Sequence, residues 1–264
     1  MMKKKIALIA MAKEEDFYIQ EWIDYHLKLG FDDIFIYQNN WRFGNQIPND
    51  KVHFLEWDKQ SGPRQISNVW EWNRQSICYN TFSKDYHNEY EWGLFTDIDC
   101  FLTLKQHDNV SDFMTQFDGI TQSQVLLNFA WFGDSGINTF SEDNTSVLER
   151  FTKRWDKPHN FSYYQTVPIC KLHDNLRHQL HFVDGEWVDV DGAVGQGVSP
   201  SNRVITYDKA QVNHYYTKTL PEWNHKMGKT RAEGDVGFQN TLDGFYDNNF
   251  NDVEDLHALK FSKK

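Results

Sequence analysis

The sequence predicts an α/β protein in which helices flank a mostly parallel central sheet. Three observations near the start of the chain support this: an apolar run at Ile6–Met11, a helical pattern at Glu14–Leu29 that Gly30 ends, and a second apolar run at Asp33–Tyr37. An unbroken apolar strand is typical of a sheet that is covered on both faces. Strand–helix–strand alternation favours parallel pairing through right-handed crossovers, which is the Rossmann-like arrangement.

The remaining predicted elements continue this alternation and then lose it. They are, in chain order, a strand at Val52–Trp57, a helix from Pro63 to about Phe82, a strand at Gly93–Thr96, a helix at Val110–Phe117, a strand at Gln124–Phe132 and a helix at Thr145–Trp155. From Lys157 onward the periodicity weakens, so we expect an irregular C-terminal third. Neither an internal repeat nor a linker interrupts the sequence, which favours a single domain over residues 1–264.

Composition excludes several classes of protein. A formal net charge of −11 argues against nucleic acid as a partner. The sequence lacks the roughly 18 consecutive apolar residues of a membrane span, which leaves peripheral association with a membrane open. The short apolar run at Ile6–Ala12 ends in charged residues without a cleavage site, so a buried strand explains it better than a signal peptide. The three widely spaced cysteines fit a reducing cytoplasm, and neither a disulfide framework nor a zinc site: Cys78, Cys100 and Cys170.

The segment GLFTDIDCFL, at Gly93–Leu102, is the sharpest local motif. Asp97 and Asp99 stand one residue apart after an apolar strand, where carboxylates are costly to bury unless they bind a cation or find partners. Oxygen ligands of this kind suit Mg²⁺ or Mn²⁺, and such an ion can neutralise a diphosphate. The alternative is a pair of solvated or helix-capping aspartates, because a bare D-x-D is short and common.

A second candidate segment, VNHYYTKTLPEWNHKMGKTR, extends from Val212 to Arg231. His214 can supply an imidazole nitrogen to the same metal ion. Beyond Tyr215 one acid, Glu222, stands against four basic residues that can hold phosphates: Lys218, Lys226, Lys229 and Arg231. The alternative is a solvated, charged helix with a histidine packed in the core.

A third segment, NFAWFGDSGI at Asn128–Ile137, passes from a strand into a turn flanked by glycines. Asp134 is a candidate general base there, and Trp131 and Phe132 are candidates to face an acceptor sugar. Asp134 can equally be a turn former, which is the commoner use of Asp between glycines.

Together these segments resemble the family 92 glycosyltransferases and the related bacterial family-2-like glycosyltransferases. The matching pieces occur in the family's order: KEEDFYIQEWIDYHLKLGFDDIFIYQNN, YEWGLFTDIDCFL, WFGDSG and VNHYYTKTLPEWNHKMGKTR. The stretch His173–Ile205 matches poorly. Two positions depart from the family pattern: Cys100 stands where an acid is usual, and Asp134 stands where a small or polar residue is common.

The resemblance implies a GT-A fold, a nucleotide-sugar donor, a divalent metal ion at the D-x-D and, in general, inversion at the anomeric carbon. It also implies that Asp97 and Asp99 take the D-x-D roles and that His214 takes the role of the family's HYY histidine. We therefore expect Mn²⁺ or Mg²⁺ on Asp99 and His214, with Asp97 on the metal through water or on the ribose.

The expected function is that of a hexosyltransferase. It would transfer a sugar, with uridine diphosphate sugars as the first choice, to a glycan or lipid-linked glycan in bacterial surface polysaccharide synthesis. Residues 1–105 would form the nucleotide-sugar-binding half, and residues 106–264 the acceptor-side half with the C-terminal basic segment. The remaining assignments are Lys13, Glu14 and Asn39 to the nucleoside, Lys218 and Lys226 to the diphosphate, and Asp134 to the catalytic base. We expect a cytoplasmic protein, either free or at the inner face of the cell membrane.

Two other classes stay open. A metal-dependent phosphatase of the haloacid dehalogenase type also uses a D-x-D, but that motif follows the first strand and usually continues as D-x-D-x-T, whereas Phe101 holds the last position here. A non-catalytic sugar-binding module would explain the 16% aromatic content. It would not explain a D-x-D together with a distant basic segment.

Overall fold

A computed structural model describes residues 5–39, 41–44, 49–57, 74–142, 145–160, 165–179, 182–197, 204–228 and 241–262. The predicted α/β class is confirmed: helices flank a large central sheet. The helices are α1 (Ile19–Leu29), α2 (Arg74–Tyr86), α3 (Val110–Thr115), α4 (Val147–Arg150), α5 (Leu220–Met227), α6 (Leu242–Asn248) and α7 (Leu259–Ser262).

Ten of the described strands form the central sheet, and four lie in two small sheets. The strands are β1 (Ile6–Ala12), β2 (Asp33–Gln38), β3 (Val52–Glu56), β4 (Trp92–Phe95), β5 (Cys100–Leu104), β6 (Gln124–Trp131), β7 (Lys153–Arg154), β8 (Thr166–Lys171), β9 (His178–Gln179), β10 (Phe182–Val183), β11 (Glu186–Asp189), β12 (Val194–Gln196), β13 (Ala210–His214) and β14 (Val253–Glu254). The small sheets are the pairs β9–β10 and β7–β14.

The central sheet has the order β12-β11-β6-β8-β4-β1-β2-β3. Strand β13 extends it at a second place, because it pairs in parallel with the end of β6 and in antiparallel with β5. Five of the nine strand pairs are parallel, which makes the sheet mostly parallel as predicted. Since β4 pairs with β8, the sheet joins strands from both halves of the chain.

Two apolar layers cover the sheet, one on each face. Strand β1 shows the division, because Ile6, Leu8 and Ala10 pack into one cluster while Ala7 and Ile9 pack into the other. Helix α1 contributes side chains to the first cluster and α2 to the second. Alternate residues of a strand point to opposite faces, so an unbroken apolar run is what a doubly covered strand requires.

The predicted elements of the first half differ from the structure mainly at their ends. Helix α1 begins at Ile19 and not at Glu14, since the carbonyl of Glu15 accepts the amides of Tyr18 and Ile19 in a turn that precedes the helix. The helix predicted from Pro63 appears as α2, and its part before residue 74 lies outside the described residues.

One prediction for the second half was wrong. The helix predicted at Thr145–Trp155 is a single turn, α4, because Phe151 takes an extended conformation and the chain then pairs with β14. Beyond residue 157 most elements are short, and β8, β11 and β13 among them are strands of the central sheet. In β13 the side chains of Gln211 and Asn213 are buried and hydrogen-bonded, so the strand lacks an apolar pattern.

The Asp255 carboxylate ties the end of the chain to the sheet. It lies 2.9 Å from Arg154 Nε and 3.3 Å from Lys105 Nζ, and its other oxygen is 2.8 Å from His257 Nδ1. Burial alone would raise the pKa of this carboxyl, but the bonds from Arg154 and His257 and the charge of Lys105 outweigh burial and lower the pKa. The charged form is therefore the one that the fold stabilises.

Asp255 should accordingly make the free energy of unfolding depend on pH in acid. Because its pKa is lower in the folded chain, its contribution is complete above the unfolded value of about 3.9 and is lost as the pH falls through the folded value. In Asp255→Asn we expect a shallower decline of stability below about pH 4 than in the parent, measured by urea unfolding across pH. Asp24→Asn, at an exposed carboxylate, is the control and should keep the parent's slope. Equal slopes for Asp255→Asn and the parent would contradict this assignment.

Candidate functional site

The candidate site lies where three strands end or begin side by side. The D-x-D forms the turn between β4 and β5, closed by a 3.1 Å hydrogen bond from the Cys100 amide to the Asp97 carbonyl. In the sheet register, His214 at the end of β13 is opposite Cys100 in β5 and Trp131 in β6. The Tyr215 amide also donates to the Asp99 carbonyl, at 2.9 Å. The two sequence segments that carry Asp99 and His214 are therefore held together by backbone pairing.

Three positively charged or ionisable nitrogen groups surround the Asp99 carboxylate. His214 Nε2 is 3.5 Å from Oδ1, and the Nζ atoms of Lys226 and Lys218 are 3.5 Å and 4.0 Å from Oδ2. The Asp99 side chain is 14% exposed. Burial would raise the pKa of this carboxyl, but His214, Lys226 and Lys218 together hold it well below its usual range. Asp99 is therefore a charged carboxylate, and the groups that stabilise its negative charge come from the C-terminal segment.

The same place offers ligand atoms of three kinds to a metal ion. Within the part of the chain that the structure describes, Asp99, Cys100 and His214 place one ligand atom each within 4.8 Å of one another. The Nδ1 atom of His214 is buried and has no hydrogen-bond partner among the described residues. The imidazole packs against the rings of Trp131 and Phe129, with centroids 4.4 Å and 5.2 Å away. The donor set fits a divalent ion, because a carboxylate oxygen, an imidazole nitrogen and a cysteine sulfur are all common metal ligands.

Asp97 faces a different neighbour from Asp99. Its Oδ1 accepts a 2.9 Å hydrogen bond from Nε2 of Gln75, in α2. Asp97 does not belong to the three-residue group of possible ligands found among the described residues. The structure thus separates the two D-x-D carboxylates, one toward α2 and one toward β13.

Helix α5 positions the two lysines. Thr219 and Glu222 form a capping box at its start, and the buried carboxylate of Glu222 pairs with Arg150 at 2.8 Å and accepts from Tyr18 at 2.7 Å. Burial would raise the pKa of Glu222, but the hydrogen bonds from Arg150, Thr219 and Tyr18 outweigh it and lower the pKa. This buried, fully bonded carboxylate fixes the start of α5 against α1 and α4.

The lysines approach Asp99 from the two ends of this helix. Lys218 precedes it with a φ of 53°, and its Nζ lies 4.8 Å from the ring centroid of Tyr18. Lys226, in the last turn, donates to the Tyr216 carbonyl at 3.0 Å and lies 4.1 Å from the Tyr216 ring centroid. Burial would lower the pKa of Lys226, but the Asp99 carboxylate outweighs it and raises the pKa. Lys229 and Arg231, the other two predicted basic residues, lie outside the described residues.

The open space at this site is small. A recess of about 30 Å³, room for about two water molecules, lies among Tyr18, Tyr216, Lys218 and Lys226. A larger cavity of about 450 Å³ lies between α2 and residues 174–177, and none of the predicted site residues lines it.

The residues predicted to contact the nucleoside follow β1 and β2 at the same edge of the sheet. Lys13 Nζ is 3.6 Å from the Glu14 carboxylate, and Glu14 has a φ of 56°. Asn39 is fully buried, and its Oδ1 accepts a 3.3 Å hydrogen bond from Arg74 Nη1. The nucleoside role of these residues stays a prediction.

The structure places Asp134 in a turn whose hydrogen bonds occupy both carboxylate oxygens. Oδ1 accepts from the Gly136 amide at 2.8 Å and from Asn251 at 3.1 Å, and Oδ2 accepts from Asn249 at 2.8 Å. Among the contacts of the described residues, none joins Asp134 to Asp99. These bonds are those of a turn former, and the role as base stays a prediction.

The two aromatic residues beside this turn do not offer an open face. Phe132 is fully buried, with its ring centroid 4.6 Å from that of Tyr215. Trp131 is 4% exposed and packs between His214 and His159. The expectation that both face an acceptor sugar was wrong, because both side chains are packed inside the protein.

Cys100 is the site residue that sequence reasoning did not assign. The sequence shows it directly after the D-x-D, yet its position opposite His214 depends on the register of β5 against β13. Register is set by packing over the whole sheet, so the motif alone does not predict it.

No model of a known protein family matches this chain, and a comparison with curated protein sequences also finds no match. The function is therefore argued from the geometry of the site.

None of the helices in the described ranges is both long enough and apolar enough to cross a membrane.

Replacing Asp134 should lower stability if its hydrogen bonds hold the turn. Asp134→Ala leaves the side chains of Asn249 and Asn251 without their shared acceptor, which should cost about 1–3 kcal/mol in the free energy of unfolding. Urea unfolding at neutral pH measures the loss. Asp247→Ala, at an exposed position near the end of α6, is the control and should stay within about 0.5 kcal/mol of the parent. A stable Asp134→Ala protein would show that the turn does not depend on this carboxylate.

Proposed function

We propose that this chain is a metal-dependent glycosyltransferase of the GT-A type, related to the family 92 and family-2-like glycosyltransferases. It would transfer a sugar from a nucleoside diphosphate sugar, with uridine diphosphate as the first choice of nucleotide, to a hydroxyl of a glycan or lipid-linked glycan. One observation carries the proposal: the D-x-D carboxylate Asp99 meets His214, the buried Lys218 and the half-buried Lys226 at the edge of the sheet. In open α/β sheets, ligands bind at the carboxyl ends of the strands, where this site lies.

Asp99 and His214 are the residues that would hold the metal ion. Their ligand atoms lie close together, and the imidazole is fixed in place by the packed rings of Trp131 and Phe129. Asp97 is separated from Asp99 by a single residue. It would bind the metal ion through a water molecule, or it would bind the ribose of the nucleotide. A divalent ion bound here supplies a Lewis acid that neutralises charge on the leaving diphosphate.

Lys218 and Lys226 support binding of an anion at the same place. The two ammonium groups carry more positive charge than the single Asp99 carboxylate compensates. Both ammonium groups are already partly removed from water, so part of their own desolvation cost is met by the fold before phosphate oxygens arrive. Fixed positive charge near a departing diphosphate is the kind of electrostatic stabilisation that contributes most to such reactions.

The transfer also needs a group that takes the proton from the acceptor hydroxyl. Asp134 is the candidate from the sequence. To act as the base, the Asp134 carboxylate would have to break a hydrogen bond that it accepts from Asn249 or Asn251.

The two other classes receive less support from the geometry. A phosphatase of the haloacid dehalogenase type would place its D-x-D after the first strand, whereas β1 is followed here by Lys13 and Glu14. A sugar-binding module without catalysis has no need for two lysines around a buried carboxylate. Neither class explains why the central and C-terminal segments meet at Asp99.

The metal assignment predicts the behaviour of Asp99→Asn, which keeps the size of the side chain. Binding of uridine diphosphate in the presence of Mn²⁺ should fall to the level measured without metal, because the metal has lost a charged ligand. Calorimetry with and without Mn²⁺ measures this, and circular dichroism checks the fold. Asp118→Asn, at an exposed acid, is the control and should bind like the parent. Asp99 is not a ligand if Asp99→Asn binds uridine diphosphate with Mn²⁺ as tightly as the parent does.

The phosphate assignment predicts a difference between nucleotide and nucleoside in Lys226→Met. A charge-assisted hydrogen bond contributes about 1.5–3 kcal/mol, so affinity for uridine diphosphate should fall by roughly 10- to 100-fold. Affinity for uridine should not change, since the nucleoside carries no phosphate for the lysine to contact. Lys28→Met, at an exposed lysine on α1, should change neither affinity. An equal loss for both compounds would argue against phosphate as the partner of Lys226.

A further inference from the structure

The thiol of Cys100 lies directly beside the two residues to which the metal site was assigned. Its Sγ is 3.6 Å from Asp99 Oδ1, and one ligand atom from each of Asp99, Cys100 and His214 falls within 4.8 Å of the others. The antiparallel pairing of β5 with β13 produces this closeness, because it sets Cys100 opposite His214. Two paired strands, and not a loop, therefore hold the sulfur in position.

The three ligand atoms are an oxygen, a sulfur and a nitrogen. Metal–ligand distances of about 2.0–2.3 Å in a tetrahedral zinc site place ligand atoms about 3.5 Å apart. The atoms here lie within 4.8 Å of one another, so movements on the order of 1 Å would bring them to that spacing.

Cys100 differs in this respect from another buried cysteine. Cys170, on β8, is also fully buried, yet it belongs to no group of possible ligands within the described ranges. Cys100 is 1% exposed, and an ion would reach it from the side of Asp99 and His214, whose side chains keep 14% and 12% of their surface. The sulfur thus forms the inner end of the site.

We infer that Cys100 is a third protein ligand of the metal ion proposed above, and that it gives the site a preference for thiophilic divalent ions over Mg²⁺. Thiolate ligands favour ions such as Zn²⁺, Co²⁺ and Cd²⁺, whereas Mg²⁺ requires oxygen ligands. This inference rests on the proposed metal site at Asp99 and His214. Beyond that site, it assigns Cys100 as the ligand that determines which divalent ion binds most tightly.

Ranking the affinities of the parent protein for different ions does not test the inference. Zn²⁺ binds more tightly than Mn²⁺ to nearly any site that combines nitrogen, oxygen and sulfur ligands. The test is the difference between the parent and Cys100→Ser. The matched control is Cys170→Ser, which makes the same change at an equally buried position.

The first measurement is the absorption spectrum of the full chain, freed of metal by a chelator and titrated with Co²⁺. A sulfur-to-cobalt charge-transfer band in the near ultraviolet reports directly on thiolate ligation. We expect the band in the parent and in Cys170→Ser, and we expect its loss in Cys100→Ser. Cys100→Ala, which adds no buried hydroxyl, should lose the band as well and guards against a serine variant that fails to fold.

The second measurement is the affinity for Zn²⁺ and for Mg²⁺. In Cys100→Ser, Zn²⁺ affinity should fall by at least about tenfold, the lower end of the losses seen when even outer-shell partners are removed. Mg²⁺ affinity should stay within about twofold of the parent, because Mg²⁺ gains little from sulfur.

The outcomes separate the two proposals. If the parent binds Mn²⁺ with uridine diphosphate but shows no charge-transfer band with Co²⁺, Cys100 is not a ligand and the proposed function stands. If no divalent ion binds the parent, the inference about Cys100 and the metal-dependent function are both overturned. A band that persists in Cys100→Ala would also overturn the inference.

Discussion

The charge on the buried Asp99 carboxylate is the constraint on which the organisation of this site depends. A carboxylate removed from water is stable only beside positive charge or hydrogen-bond donors, and the middle of the chain supplies no cation to it in the described contacts. His214, Lys218 and Lys226 meet that need, each within 4.0 Å of the carboxylate. The D-x-D is thereby tied to a segment far along the chain, which runs from the end of β13 to the last turn of α5.

This compensation also couples the two ligands of the proposed reaction. A divalent ion at Asp99 would compete with Lys226 for the same carboxylate oxygen, which the ammonium approaches to 3.5 Å. Phosphate oxygens offer Lys226 another partner, so an ion and a diphosphate arriving together would each stabilise the position that the other requires. If only the ion binds, Lys226 loses its carboxylate partner, and if only the diphosphate binds, Asp99 loses its ammonium partner. The proposed ion and diphosphate would therefore bind cooperatively.

The sequence predicted the first half of the fold well because its strands are mostly apolar. Ile6–Ala12 and Gln124–Trp131 are buried along their whole length, so a simple apolar pattern locates them. The pattern failed for β13, where the side-chain amide nitrogen of the buried Gln211 donates to a distant carboxylate, Asp255. It also failed after α4, where the apolar spacing fits a helix but pairing with β14 draws the chain into an extended form.

Within the site, the resemblance assigned roles to Asp99 and His214, and the local excess of basic residues singled out Lys218 and Lys226. Residue spacing alone would not have joined them. The position of Cys100 opposite His214 was not predictable, since it depends on strand register. The turn around Asp134 depends in the same way on Asn249 and Asn251, which no local pattern connects to it.

The pairing of β5 with β13 has a consequence for how the protein is made. In the described sheet, β5 has no strand partner except β13. The strand that follows the D-x-D turn therefore cannot pair until a segment that is synthesised much later has left the ribosome. Contacts between distant parts of a chain form slowly, because a long loop must close first. A nascent chain that ends before Ala210 would keep Asp99 in water beside an unpaired strand edge, a surface that chaperones recognise and that promotes aggregation. The surroundings of Asp99 are therefore complete only after β13 has paired with β5 and both lysines have packed beside the carboxylate.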